Sequence, residues 1–433
     1  MDKLKTDYSI FYIGMDFYQG LPGSYIFDDF HIVTHRYNRH IDKLKDLTNI
    51  FCLEEKTNNI PKNTGHLLAN KFVQNYITKN SKKTPLIIYF KPSLKIDLLG
   101  KKMGYKLAGN LSQMTKTLEN KILFTKIVEK HNLALMPKSK IYSKPHNLNL
   151  IENDFSYPFI LQYEMGWAGK SSYIINNKFE LEEKISKLSS SIKISQLLPG
   201  ITLTNNCVIT NNNKVIQSRP AFQITGNPSL TNKKLSTCGR SWSEEINEKV
   251  YEKIKIITQR VGDYLISINY KGFFGLDFQL AKGKIYLLEI NPRLTASYPF
   301  YTFLELSENL IPMFAYHVAS FIDLNLPSYK EVQIQGSEII QRNIKNKTIE
   351  IKSTLESGEY VNQEKVTDSI LPSMNLTLIA PSENEKINDN QEMFKMSSKK
   401  VLTEIKNDSV KIKQEANENL NFLRENINDK KLI

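Results

Sequence analysis

The segment FFGLDFQLAKGKIYLLEINPR, residues 273–293, decides how this 433-residue chain is read. Two β-rich runs flank the turn AKGK. In the first, Leu276, Phe278 and Leu280 alternate with Gly275, Asp277 and Gln279, the period of a strand with one apolar and one polar face. In the second, Glu289 and Asn291 are two apart and project from one face. Asp277 joins them there if the loop is odd in length or the hairpin carries a bulge. A three-residue loop sets Asp277 opposite Glu289 with Cβ atoms about 5 Å apart. A plain two-residue loop sends the two to opposite faces, and Gly283 makes a bulged turn sterically easy.

Two carboxylates that close repel each other unless a cation lies between them. Hard oxygen donors from Asp277, Glu289 and Asn291, with no His or Cys, favour Mg²⁺ over zinc, with Mn²⁺ as the substitute. Magnesium keeps waters and shares itself with substrate phosphates, which points to a nucleoside triphosphate. Arg293 follows Asn291 by two, where a guanidinium can neutralise charge developing on a transferred phosphoryl group. The competing reading is a hairpin whose acids are merely solvated.

Working outward, residues 1–112 alternate short β-rich runs (DYSIFYIG, DDFHIVTHRY, LTNIFCLEE, PLIIYFKP) with a helical stretch over 64–80. That alternation predicts an α/β domain with a doubly wound parallel sheet. No G-x-G-x-x-G follows the first strand, so a dinucleotide fingerprint is absent. A helix is expected over about 113–132. Strands in SYPFILQY and SSYIINN and a helix over 180–190 make a small lid at about 137–195. The connector KISQLLPG leads to longer strands, a helix over 244–268 and the acidic hairpin, closing a two-lobed domain at about 330. A small β unit is expected over 331–380. Residues 381–433 balance ten acidic against ten basic side chains with few apolar ones, and read as a loosely attached helical or disordered tail.

With these motifs in place, the sequence resembles the ATP-grasp superfamily, in particular its biotin carboxylase and carbamoyl phosphate synthetase branch. LDFQL…YLLEINPR looks like that family's paired metal strands, so the resemblance implies Asp277, Glu289 and Asn291 on Mg²⁺ and Arg293 at the transferred group. It also implies a phosphate-binding Lys121 opening its helix in LENKILFTKIVEK. SYPFILQYEMGWAGKSSYII resembles the lid strand and Gly-rich loop, with Gly166, Gly169, Lys170 and Ser171 approaching phosphate. The family's lid lysine is replaced here by Gln162, which can hydrogen-bond but supplies no charge. SQLLPG resembles the interdomain hinge, where the backbone of Gln196, Leu197 and Leu198 would meet the adenine edge. Thr202 and Thr204 stand where the family often has a ribose-binding Glu. The implied activity is that of an ATP-dependent ligase, which activates a carboxylate as an acyl phosphate and couples it to an amine. A non-catalytic nucleotide-binding module and a bicarbonate-using, biotin carboxylase-like enzyme are the alternatives. No biotin-acceptor A-M-K-M stretch is present. The acceptor pocket is expected between the hairpin, residues 295–302 and the strand at 219–225, with Arg219, Arg240 and Gln223 as candidate substrate contacts.

Composition sets the remaining bounds. Lys plus Arg is 58 against 45 Asp plus Glu, a net charge of +13. The lysines are spread from Lys3 to Lys431 among many Asn and Ile, so a compositional bias explains the excess better than a nucleic-acid face. Cys52, Cys207 and Cys238 lie far apart with no C-x-x-C, against disulfides or structural zinc. The start lacks a signal-peptide pattern, and the apolar window 310–324 is interrupted by Pro312, His317 and Asp323. A cytoplasmic protein with small-molecule partners, compatible with a homodimer, is the expectation.

Overall fold

The structure, a computed structural model, describes residues 2–143, 148–166, 171–186 and 191–431. Strands β1 (Tyr8–Gly14), β2 (Phe30–Thr34), β3 (Asn49–Cys52), β4 (Thr84–Tyr89) and β5 (Lys106–Ala108) form a parallel sheet in the order β3-β2-β1-β4-β5. These strands are apolar on both faces because helices cover both. The order reverses beside β1, so the crevice at its carboxyl end opens toward the rest of the molecule. The helix expected over 64–80 is two, Thr64–Leu68 and Lys71–Asn80, with the Asn70 side chain capping the second.

The lid is a four-stranded antiparallel sheet of β6 (Ser139–Tyr142), β7 (Phe159–Tyr163), β8 (Ser172–Ile175) and β9 (Ile192–Gln196), in the order β6-β9-β7-β8. Its own small core includes Phe159, Leu161, Ile175, Leu181, Ile192 and Ile194. Below it lies a large antiparallel sheet. It begins with β10 (Ile201–Ile209), β11 (Val215–Gln217), β12 (Ala221–Thr225), β13 (Thr237–Trp242), β14 (Gly272–Ala281), β15 (Lys284–Asn291) and β16 (Gly336–Arg342). The helix Glu248–Ser267 buries Tyr251, Ile254, Ile257, Val261 and Leu265 against its back. Helix Tyr298–Ser307 joins the sheet to the N-terminal domain, the Tyr298 hydroxyl meeting the Gln19 carbonyl.

The C-terminal part corrects the expectation for residues 381–433. Strand Glu392–Ser398 pairs with β16 on one side and with Leu376–Ile379 on the other, inside the large sheet. Helix Gln414–Glu425 buries Ala416, Leu420 and Leu423, and Asn428–Lys431 pairs with Ile349–Ser353. The segment is short of apolar residues, but those it has fall at helical spacing on one face. The three cysteines are free and buried. Among the described residues no helix is long and apolar enough to cross a membrane.

Candidate functional site

The hairpin loop has two residues, Lys282 and Gly283, with φ of 49° and 70°, and Ala281 pairs with Lys284. This is the left-handed pair that matches the twist of two antiparallel strands. Continued regularly, it would set Leu288 opposite Asp277 and turn Glu289 away. Instead Phe278 pairs with Leu287 while Asp277 pairs with Glu289, leaving Leu288 as the extra residue of a β-bulge. The bulge therefore lies in β15 and not at the turn, and it is what brings both acids to one face. Asn291, opposite Gly275, follows on that face.

The acids are held from two sides. Gln223 Nε2 donates to Asp277 Oδ1 at 2.6 Å and Asn291 Nδ2 donates to Oδ2 at 3.1 Å. Thr237 Oγ1 in turn donates to Gln223 Oε1 at 3.1 Å, which fixes that amide's orientation. Lys121 Nζ forms an ion pair with Glu289. The helix expected over 113–132 breaks into Ser112–Glu119 and Lys121–Lys130. Asn120 caps the second by accepting from Ile122 N and Leu123 N, at 3.0 Å each. That break puts Lys121 at the first helical position, aimed at the hairpin.

Burial, reinforced by Glu289, pushes the Asp277 carboxyl up to about 7. Burial pushes Glu289 up too, but the Lys121 ammonium outweighs it and the carboxyl ends below its usual range. Two acids crowded until one favours its proton form a place where a dication replaces that proton at a gain. Among the described residues no three His, Cys, Asp or Glu side chains come together in an arrangement that could hold a metal ion by themselves. The donor set is thus two carboxylates and an amide, which fits a magnesium ion shared with phosphates and does not fit zinc.

Above the hairpin lies a cavity of about 240 Å³. Its floor is Thr202, Gln223, Thr225, Thr237, Asp277, Gln279, Leu288 and Glu289, and Lys121 stands at one side. Its roof is the inner face of the lid, where Ile160 pairs with Ser195 and Gln162 pairs with both Ser172 and Lys193. Gln196, Leu197 and Leu198 close the hinge side, and Gly166 and Ser171 close the loop side. Gly166 has φ of 153°, and a Cβ there would meet the Ser171 side chain at 2.2 Å, so only glycine fits this approach. Gly169 and Lys170 lie outside the described residues.

The candidate arginines go elsewhere. Arg293 donates Nε to Glu119 at 2.8 Å, Nη1 to the Leu294 carbonyl and Nη2 to Asn291 Oδ1 at 3.3 Å, and lies over the Phe90 ring. It touches Asn291 but does not line the cavity. Arg219 pairs with Glu248 and stacks on Tyr251, away from the site. Arg240 is buried in a pair with Glu338 at 3.3 Å, near Lys395 and Asp16. Sequence reasoning missed Lys193, which is 3% exposed and lines the roof. Its signal was there in IKISQ, where Lys193 and Ser195 alternate with Ile192 and Ile194 on a strand running into the hinge.

Residues 118–297 match the family model for the ATP-grasp domain. This chain contains an ATP-grasp domain. It is 21% identical over 208 residues to the carbamoyl phosphate synthase large chain of Campylobacter jejuni, covering 46% of this chain and 18% of that one. It is 24% identical over 272 residues to the formate-dependent phosphoribosylglycinamide formyltransferase of Wigglesworthia glossinidia brevipalpis, covering 58% of this chain and 64% of the relative. The chain thus spans less than two thirds of the length of either relative. Its fold is that of the biotin carboxylase domain of Hydrogenobacter thermophilus 2-oxoglutarate carboxylase, solved with MgADP and bicarbonate. The TM-score there is 0.63 at 11% identity, over 98% of this chain and 91% of that one.

Proposed function

We propose that this ATP-grasp protein is an ATP- and Mg²⁺-dependent ligase that activates a small carboxylic acid and couples it to an amine or similar nucleophile. The observation that carries the reading is the single face bearing Asp277, Glu289 and Asn291 beneath a lidded cavity, with the Lys121 ammonium beside it. The hinge backbone at Gln196–Leu198 would take the adenine edge. A substrate carboxylate oxygen attacks the γ-phosphorus of ATP, the bond to the ADP oxygen breaks, and an acyl phosphate forms. The amine nitrogen then attacks the acyl carbon, inorganic phosphate leaves and the amine proton is lost to solvent. Asp277, Glu289 and Asn291 would hold Mg²⁺, which would supply neutralising charge for the phosphates. Lys121 contributes a second positive charge, and Arg293, anchored on Glu119 outside the cavity lining, acts through Asn291, whose Oδ1 its Nη2 holds at 3.3 Å. The lid keeps water from the hydrolysable acyl phosphate.

The test is Mg²⁺-dependent phosphate release, screened over small carboxylic acids and amines with bicarbonate included because the biotin carboxylase domain was solved with it. Glu289→Gln is expected to lower turnover at least about 100-fold while the thermal midpoint holds, and Arg293→Ala to lower turnover through its contact with Asn291 together with the midpoint, since Glu119 loses a partner. Full activity in both variants, or release that ignores Mg²⁺, would remove the ligase assignment. Tight nucleotide binding without release over the whole screen would favour the non-catalytic module.

A further inference from the structure

Among the described residues of the lid roof, Lys193 is a buried charge that the proposed reaction leaves unused. It lies between Ile192 and Ile194 on β9, its side chain on the face opposite theirs and lining the cavity. Among the described residues its ammonium has no carboxylate within ion-pair distance. Glu289, the acid nearest in effect, is already taken by Lys121. Burial, with the Lys121 charge added, pushes the Lys193 ammonium down to about 8. A buried, unpaired cation is costly in an empty protein and is kept where an anion arrives to meet it.

The register says which anion. Gln162 on β7 and Lys193 on β9 are direct cross-strand partners, so their Cβ atoms lie about 5 Å apart on one face. Gln162 Nε2 is spent on Ser172 Oγ at 3.1 Å. A cation rooted on either strand therefore reaches the same volume under the roof. Lys193 is also three residues, about 10 Å of extended chain, before Gln196 at the hinge. That places it away from an adenine held at the hinge, and the two charges it feels most are those of Lys121 and Glu289.

We infer that Lys193 is the lid-side cation for the nucleotide's polyphosphate, filling from the adjacent strand the position that Gln162 leaves uncharged. The inference rests on the proposed nucleotide site and adds to it a binding residue that the motif reading does not contain. A lysine kept only for packing would matter equally to every ligand, whereas a polyphosphate contact matters in proportion to the phosphates present.

Calorimetric titration of the full chain with adenosine, MgADP and MgATP separates these cases. Lys193→Met is expected to weaken MgATP and MgADP on the order of 10- to 100-fold and adenosine less than about twofold. The nucleotide-free variant should melt no lower than the wild type. The double variant Gln162→Lys/Lys193→Met, which moves the lysine across the strand pair, should recover most of the MgATP affinity. Should Lys193→Met fold poorly, Lys193→Gln carries the same comparison. An equal loss for adenosine and MgATP, no loss for either, or unfolding of all three variants would overturn the assignment. A wild type that binds adenosine and MgATP not at all would instead bring down the nucleotide reading beneath it.

Discussion

At the scale of single residues, the site is a set of charges whose environments push them apart. Asp277 is driven toward its neutral form and Glu289 away from it, by the same burial but different neighbours. Lys193 is the residue whose cost can be measured without any ligand. Its folded value of about 8 lies below the ordinary 10.5, so between those values the unfolded chain holds a proton that the folded one has lost. Stability therefore rises with pH through that window, and below pH 8 the full penalty is present. At about 1.4 kcal/mol per pH unit the penalty is at most about 3.5 kcal/mol. Lys193→Met is expected to be more stable than the wild type at pH 7, with the gap closing toward pH 10. Denaturant midpoints of the two proteins across that range would check it, and a gap constant with pH would refute it. The residues legible beforehand were those in short motifs, Asp277, Glu289, Asn291, Lys121, Gln162 and Gly166. Arg219 and Arg240 were not, because a strand arginine's partner is set by which distant carboxylate, Glu248 or Glu338, the fold brings beside it. Lys193 was missed for a similar reason: its pairing with Gln162 depends on strand order in the lid, which no local pattern encodes.

At the scale of elements, two interruptions of regular structure aim the site. Periodicity predicts one helix over 113–132 because Met114, Leu118, Ile122, Leu123 and Ile127 read as one apolar stripe, and it cannot register that Asn120 ends one helix and caps the next. The bulge at Leu288 is equally silent, since a Leu-Leu pair in a strand looks regular in sequence, although the two-residue loop made some such shift necessary for Asp277 and Glu289 to meet. The helix break is testable with Lys121 itself untouched. Asn120→Ala removes the side-chain cap and is expected to cost about 1 kcal/mol of stability. It should also let the two helices draw toward one, swinging Lys121 off Glu289. MgATP affinity should then fall several-fold, whereas an exposed control such as Lys116→Ala should leave it unchanged. If Asn120→Ala lost stability and kept its affinity, the break would be a packing feature only.

At the scale of the whole molecule, the α/β plan of an N-terminal parallel sheet, a lid and a large antiparallel sheet follows from the order of strand and helix patterns. The far end of the chain does not. Composition made residues 381–433 look detachable because charge and Asn dilute their apolar residues, yet strand register gives them an interior position. Glu392–Ser398 is flanked by β16 on one side and Leu376–Ile379 on the other, so it is not an edge. Leu420 and Leu423 fill the same core as Ile339, Phe394 and Met396. The same sheet carries Glu338 one strand away, Arg240 two strands away and, through β12, the Gln223 that holds Asp277. Removing residues 381–433 would open that sheet in its middle and leave Ile339 and Leu378 facing water. A chain ending at 380 is therefore expected to lose cooperative unfolding altogether, and Leu420→Ala to cost about 2–5 kcal/mol. Leu420→Ala should lower the single unfolding midpoint of the whole protein, since its core is continuous with the sheet that bears the site. A truncated chain that melted cooperatively at the wild-type temperature would show that the segment is an appendage after all, and that the sheet is closed by β16 alone.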